Sequence, residues 1–467
     1  LFYRPRGTPA LALEAEELHL RLVQAGQTAR PVLVEQAGGP APVRASAEAR
    51  PTGEEDGVHF YDLPDGTRVV VKPRRSMPLV SMAVWFRGGE LRERPENAGI
   101  TSLLARVSVK GTASRSAAEL AERSEAMGGA ISHHVGADTF GWSLSLPSRH
   151  FEAGFELLAD VVLNPAIPEA ELERERQVMK SDLERVRDDT YQYPMQLFLQ
   201  AAFPGSPYGY TLGDMEAALE RMDREALLGW HERAVRRGQR WAFVVGDVEP
   251  DAAAATVAGA LSGFEPAEEE GAVRAPVFAA APREEAASLA KTQTALVLGF
   301  PGPARNDPQR YPLQVLSNIV SGLGGRLFEE LRSKRSLAYT VTAYPIARWL
   351  AGAYVAYIAT SPEREAEARA GLLEEFERLR REPVAAEELE RAIRYTIGAW
   401  QIRSQTNGAQ LSDLAGALLL GPGLAELREH EARIRAVSAP SILEAARRFL
   451  DPARVVEGIV RGSGGSR

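Results

Sequence analysis

An α+β fold of two homologous domains, each a mostly antiparallel sheet covered by helices, is the expectation from three patterns. Strand-like runs and hairpins mix with long amphipathic helices instead of alternating strictly with them. A stretch rich in Pro, Ala and acidic residues, "PAEEEGAVRAPVFAAAPREEAAS" (266–288), separates two well-patterned halves. The halves also repeat one another. "VSMAVWFRGG" (80–89) parallels "TALVLGFPGP" (294–303), and "EAELERERQVM" (169–179) parallels "AEELERAIRYT" (386–396). Phe86 thus matches Phe300 at an offset of 214, and Leu172 matches Leu389 at 217, two separate matches at nearly one spacing.

The elements follow in order. Residues 1–56, rich in Ala, Pro, Gly and Glu, are expected to be an arm or linker with a short strand at Leu1–Tyr3. A first domain is placed at 57–265, an interdomain linker at 266–288 and a second domain at 289–467. "VHFYDLPDGTRVVVKP" (58–73) is a hairpin around an Asp-Gly turn. "GITSLLARVSVKGT" (99–112) has the spacing of a short buried helix, followed by a helix capped near Ser116. "FGWSLSLP" (140–147) alternates as a strand, 150–165 and 169–189 carry helical spacing, and "WAFVVGDV" (241–248) is a buried strand before a helix.

Composition narrows the chemistry. The 467 residues are 45% hydrophobic and 25% charged, which suits a globular chain with ample core. The net charge of −8 is spread along the sequence, so the basic stripe of a nucleic-acid binder is missing. No apolar run approaches the roughly 18 residues of a membrane span. Without cysteine there are no disulfides, thiolate metal sites or Cys nucleophiles, and both cytoplasm and periplasm stay open. The chain begins with Leu1 and not Met, which fits a processed or cut product.

Few residue sets could do chemistry. The seven histidines (His19, His59, His133, His134, His150, His231 and His430) include no pair four apart, so a helical zinc pair is absent. His133 and His134 are adjacent, and on a strand they point to opposite faces. No Gly-x-Ser-x-Gly elbow supports a serine nucleophile, and "SGLGGRLF" (321–328) lacks the Lys-Ser/Thr of a phosphate loop. Ser102, Ala105 and Arg106 stand at i, i+3 and i+4 on one helix face, where a metal pair usually sits, yet they offer a hydroxyl, a methyl and a guanidinium. In "RLFEELRSKRSLAYTVTAY" (326–344), Arg332 and Tyr339 span a helix end and a strand start. Two readings stay open there: Arg332 offsets the helix dipole while Tyr339 fills a half-buried position, or both donate to one substrate oxygen.

In these frames the chain resembles the M16 (pitrilysin/insulinase) metallopeptidase family over about residues 58–460. Active members carry the inverted zinc motif His-x-x-Glu-His, and "GITSLLARVSVKGT" occupies that frame. Gly99, Lys110, Gly111 and Thr112 fit; Ser102 stands for the first His, Ala105 for the general-base Glu and Arg106 for the second His. In "ERQVMKSD" (175–182), Asp182 falls at the third ligand and Glu175 at a supporting acid. The resemblance therefore implies no metal in this chain, because Asp182 alone does not hold Zn²⁺, and suggests an Arg106–Asp182 pair across the former site. "GGRLFEELRSKRSLAYTV" (324–341) keeps the family's other signature, with Arg332 and Tyr339 at the substrate-directed positions and Ser336 where Gly is frequent. "GSPYGYTLGDMEAALERMD" (205–223) and "VVGDVEPD" (244–251) match as well.

What the resemblance implies is half of a clamshell peptidase chamber. This chain is expected to be the zinc-free subunit or half, inactive alone and giving Arg332 and Tyr339 to a partner that bears His-x-x-Glu-His and Zn²⁺. Unfolded peptide would add a strand at the family's sheet edge, near 128–146. "LFYRPRG" would be the tail of an upstream zinc-bearing half. The alternatives are a structural or peptide-holding protein comparable to respiratory-complex core subunits, and a self-sufficient hydrolase with an unrecognised site.

Overall fold

The computed structural model describes residues 48–268, 271 and 273–463. The strand expected at Leu1–Tyr3 lies outside them. Two sheets organise the chain. The first has seven strands: β1 (Arg50–Glu55), β2 (Val58–Asp62), β3 (Arg68–Pro73), β4 (Leu79–Arg87), β5 (Ser132–Val135), β6 (Thr139–Pro147) and β7 (Arg240–Gly246). Their order is β1-β2-β3-β7-β4-β6-β5. The second has five: β8 (Arg283–Leu289), β9 (Thr294–Gly302), β10 (Thr340–Ala347), β11 (Gly352–Thr360) and β12 (Val456–Gly462), ordered β10-β11-β9-β12-β8. In each sheet one pair is parallel, β3 with β7 and β8 with β12, and the other pairs are antiparallel. Reading β3-β7-β4-β6-β5 against β8-β12-β9-β11-β10 superimposes the two orders, with β1 and β2 as an extra hairpin on the first.

Two expectations need correction. Residues 50–55, placed in the arm, form β1, in register with β2 from Arg50↔Asp62 to Glu55↔Val58. Residues 283–288, placed in the linker, belong to β8, paired with β12 from Val456↔Arg283 onward. Both are edge strands whose side chains are nearly all in solvent. Neither therefore carries the alternation by which a half-buried strand is recognised.

Helices cover both faces of each sheet, and one on each side is exchanged. Gln192–Ala202 follows the long helix Glu169–Asp188 in the first half, yet it packs on β8, β9 and β12 of the second sheet. Phe198, Ala202 and Phe203 are buried there among Val297, Val355 and Tyr357. Reciprocally, Asn407–Ala415 follows Ala386–Arg403 in the second half and packs on β4 and β7 of the first sheet. Leu411, Leu414 and Leu419 bury against Val70, Trp241 and Phe243. At about 1.5–3 kcal/mol for each large apolar side chain fully buried, this exchange ties the halves together.

The β10–β11 turn adds a polar tie. Trp349 N donates to Asp138 Oδ2 at 3.0 Å, Tyr208 OH donates to the same carboxylate, and Arg348 lies over the Tyr208 ring at 4.5 Å. Beside it lies Glu90, which is half-buried. Burial, then the neighbouring Glu93, pushes its carboxyl up to about 7, against the pull of Arg348. The native state thus holds a proton that the unfolded chain releases near pH 4.5. Stability should fall as pH rises from about 4.5 to 7, by about 1–2 kcal/mol once solvent contact is allowed for. Urea unfolding of Glu90→Gln against wild type is the check: the variant should show a flatter pH profile and greater stability at pH 8.

Candidate functional site

The helix in the zinc-motif frame, Ile100–Ser108, is pinned at several points. Gly99 starts it at φ +91°, a left-handed position that suits glycine. The buried Glu93 carboxylate accepts from Gly99 N at 2.6 Å and Thr101 N at 2.9 Å, capping the amides that a helix start leaves open. Trp230 Nε1 donates to Thr101 Oγ1 at 3.2 Å, and Trp142 Nε1 to Ala105 O at 3.3 Å. Beyond the helix, Thr112 Oγ1 donates to Asp160 Oδ2 at 2.7 Å and Lys110 Nζ lies 2.9 Å from Glu175 Oε1. Lys110 and Thr112 thus serve the frame, as does Glu93, which the sequence did not single out.

The structure brings Arg106 and Asp182 together. Arg106 Nη2 donates to Asp182 Oδ2 at 2.7 Å, and Nη1 lies 3.8 Å from Glu175 Oε2. Arg185 also pairs with Asp182. His133 on β5 faces this cluster; burial, then the charges of Arg106 and Lys110, keeps its pKa below the usual imidazole value. Ser102 is half-buried and Ala105 fully buried on the same helix.

Zinc does not fit these residues. The donor set is a hydroxyl, a methyl and a carboxylate already bound by two guanidinium groups. Among the described residues no group of three or more His, Asp or Glu is placed to hold a metal ion. The guanidinium now holds Glu169–Asp188 against Ile100–Ser108. We expect Arg106→Met to lower unfolding free energy by about 1–2 kcal/mol, since it leaves partly buried carboxylates short of a cation. In a urea double-mutant cycle, Arg106→Met with Asp182→Leu should lose less than the sum of the single changes.

The second set sits before β10. Phe328–Lys334, expected as an ordinary helix end, is wound as π-helical turns, and the chain reverses at Ser336 with φ +51°. Leu337 N donates to Leu331 O at 2.7 Å and Ser336 N to Arg332 O at 3.0 Å. Arg364 Nη1 and Nη2 donate to Ser336 O and Arg335 O, each at 2.8 Å, clamping the turn from outside. The Arg332 guanidinium then lies over two rings, 4.6 Å from the Phe328 centroid and 4.7 Å from that of Tyr339. Tyr339 is 76% exposed, and among the described residues no carboxylate lies within ion-pair distance of Arg332. Arg332, half-buried, and Tyr339, exposed, therefore meet as a cation–ring pair. Phe328, whose ring also meets Arg332, was not singled out in the sequence.

Ser336 carries a conformational cost that glycine lacks. A left-handed L-residue is disfavoured by about 1–2 kcal/mol, part of which glycine returns as unfolded-state entropy. Ser336→Gly is expected to stabilise by about 0.5–1 kcal/mol, read as a higher urea midpoint.

Two related sheets covered by helices, with the Arg106–Asp182 pair in one half and the Arg332–Tyr339 pair in the other, make up the fold. Residues 68–215 match the family described as "Insulinase (Peptidase family M16)", and 221–395 match "Peptidase M16 inactive domain". The chain is 30% identical over 319 residues to "Uncharacterized zinc protease ML0855" of Mycobacterium leprae, covering 67% of this chain and 71% of that one. With "Uncharacterized zinc protease YmxG" of Bacillus subtilis it shares 24% over 364 residues, 77% and 88% of the respective chains. The chain belongs to peptidase family M16. Among solved structures, a peptidase M16 inactive domain from Pseudomonas fluorescens aligns with TM-score 0.81 at 19% identity, over 88% of this chain and 99% of that one. A chain of Complex III2 from Candida albicans aligns with TM-score 0.74 at 16% identity, over 86% and 96%. Among the described residues no helix is long and apolar enough to cross a membrane.

Proposed function

We propose that this chain is the zinc-free subunit or half of a two-part M16 peptidase. It would supply Arg332 and Tyr339 to a peptide whose scissile bond is attacked at Zn²⁺ on a partner bearing His-x-x-Glu-His. The observation that carries the reading is the asymmetry between the two sets. Arg106, at the position where the resemblance puts a ligand, is bound by carboxylates, whereas Arg332 is half-buried against the exposed Tyr339 ring and has no carboxylate partner among the described residues. In such a division the guanidinium and the phenol hold the substrate carbonyl and the oxyanion that develops from it. Water activation belongs to the partner's metal. Substrate would be unfolded peptide, taken up as an added strand on an exposed sheet edge such as β5.

The test is reconstitution. The isolated chain should not cleave a fluorogenic peptide library, and adding the zinc-bearing partner should give activity that a chelator abolishes. A mixture no faster than the partner alone would remove the proposal. The fold shared with a Complex III2 chain favours a second reading, a structural or peptide-holding member. That reading predicts a stable complex whose turnover ignores Arg332 and Tyr339.

A further inference from the structure

A pocket of about 330 Å³ opens on the face of the first sheet opposite the helix Ile100–Ser108. Along β3, Val69 and Val71 join the core beneath that helix, while Val70 joins the cluster formed with Asn407–Ala415. By the two-residue period of a strand, Lys72 shares the face of Val70. The pocket is walled by Val58, Leu414, Leu424, Leu427 and Trp400, so both halves of the chain build it.

Its lining carries two carboxylates, Asp56 and Asp413, and two cations, Lys72 and Arg428. Asp56 is engaged by Arg428 at 2.9 Å, which also pairs with Glu55 at 2.7 Å, and Asp413 is engaged by Arg403 at 2.7 Å, so Lys72 is the lining charge left without a close partner. Arg74 is turned away to Asn407 Oδ1 at 2.8 Å. Among the described residues no carboxylate lies within ion-pair distance of the Lys72 ammonium. Burial, then the nearby Arg74, depresses its pKa against the pull of the more distant Asp56 and Asp413. An unpaired, half-buried cation over an apolar cavity is unfavourable by itself, and it is complementary to a ligand with an acid at one end and an apolar body at the other.

We propose that this pocket binds a small amphipathic monocarboxylate, its acid on Lys72 and its apolar body between Val58, Leu414, Leu424 and Leu427. The site uses neither Arg332 nor Tyr339 and stands independently of the peptidase reading.

The experiment is calorimetric titration of the full chain with octanoate, beside octanol and beside the variants Lys72→Met and Lys72→Arg, each checked for folding by circular dichroism. Octanoate should saturate one site with Kd of order 0.1–1 mM. Lys72→Met should weaken it at least about tenfold, octanol should bind wild type about as weakly, and Lys72→Arg should stay within a few-fold. Octanoate should also protect Lys72 from acetylation by an N-hydroxysuccinimide ester at pH 8, read by peptide mass. No saturation by about 10 mM octanoate, or equal affinity in folded Lys72→Met, overturns the proposal.

Discussion

In the proposed two-part peptidase, replacing Arg332 by Ala should lower kcat by about 10²–10³, with KM changing much less. That is the scale measured when one preorganised oxyanion donor is removed, about 2.7–4 kcal/mol of transition-state stabilisation. The split follows from where charge develops. A donor aimed at an oxyanion is worth most in the transition state, so its loss appears in kcat; a residue that only holds peptide would raise KM alone. Tyr339→Phe keeps the ring over Arg332 and deletes one hydroxyl, so it should lose about 10–10². Arg332→Lys should fall between, since a point charge keeps attraction but loses the planar contact with Phe328 and Tyr339. Steady-state kinetics on a single peptide decide the matter. Unchanged kcat in both Arg332→Ala and Tyr339→Phe would leave only the structural reading.

Gly458→Ala should be strongly damaging. Gly458 lies in β12, where the exchanged helix Gln192–Ala202 crosses the second sheet. A Cβ built there collides with Phe198 N and Pro194 O, which are backbone atoms and cannot turn aside. The helix would have to lift, opening the cavity now filled by Phe198 and Phe203. Large-to-small changes in such cores cost about 3–5 kcal/mol, and we expect a loss of at least that size. At Gly299 the added methyl meets the ring of Phe198, 2.5 Å from Cε2, and a ring can shift. Gly299→Ala should therefore lose less. Urea unfolding of the two variants gives the comparison, and a Gly458→Ala protein as stable as wild type would mean the helix does not dock as described.

The site was legible to different degrees. That Ser102, Ala105, Arg106 and Asp182 do not make a zinc donor set was legible in a recognised frame, because coordination depends on residue identity at fixed spacing. That Arg106 reaches Asp182 follows from the same two helices packing as a zinc site requires. The contact of Arg332 with the Phe328 and Tyr339 rings was not visible, since it rests on π-helical turns and on the left-handed Ser336. Lys72 drew no notice either. A lysine at the end of a strand is unremarkable until tertiary packing gives both rim carboxylates to other cations.

By itself the sequence determined the elements and the duplication, since hydrophobic period and capping are set by residues a few positions apart. Phe86 and Phe300 do lie on the corresponding central strands β4 and β9. Only the tertiary structure decided that 50–55 and 283–288 are edge strands and that Gln192–Ala202 and Asn407–Ala415 trade sheets. An amphipathic helix announces that it has an apolar face, and an edge strand offers backbone hydrogen bonds. Which surface satisfies β8 and the two exchanged helices depends on segments far along the chain, whereas β1 pairs with the neighbouring β2 and escaped notice because its side chains are all exposed.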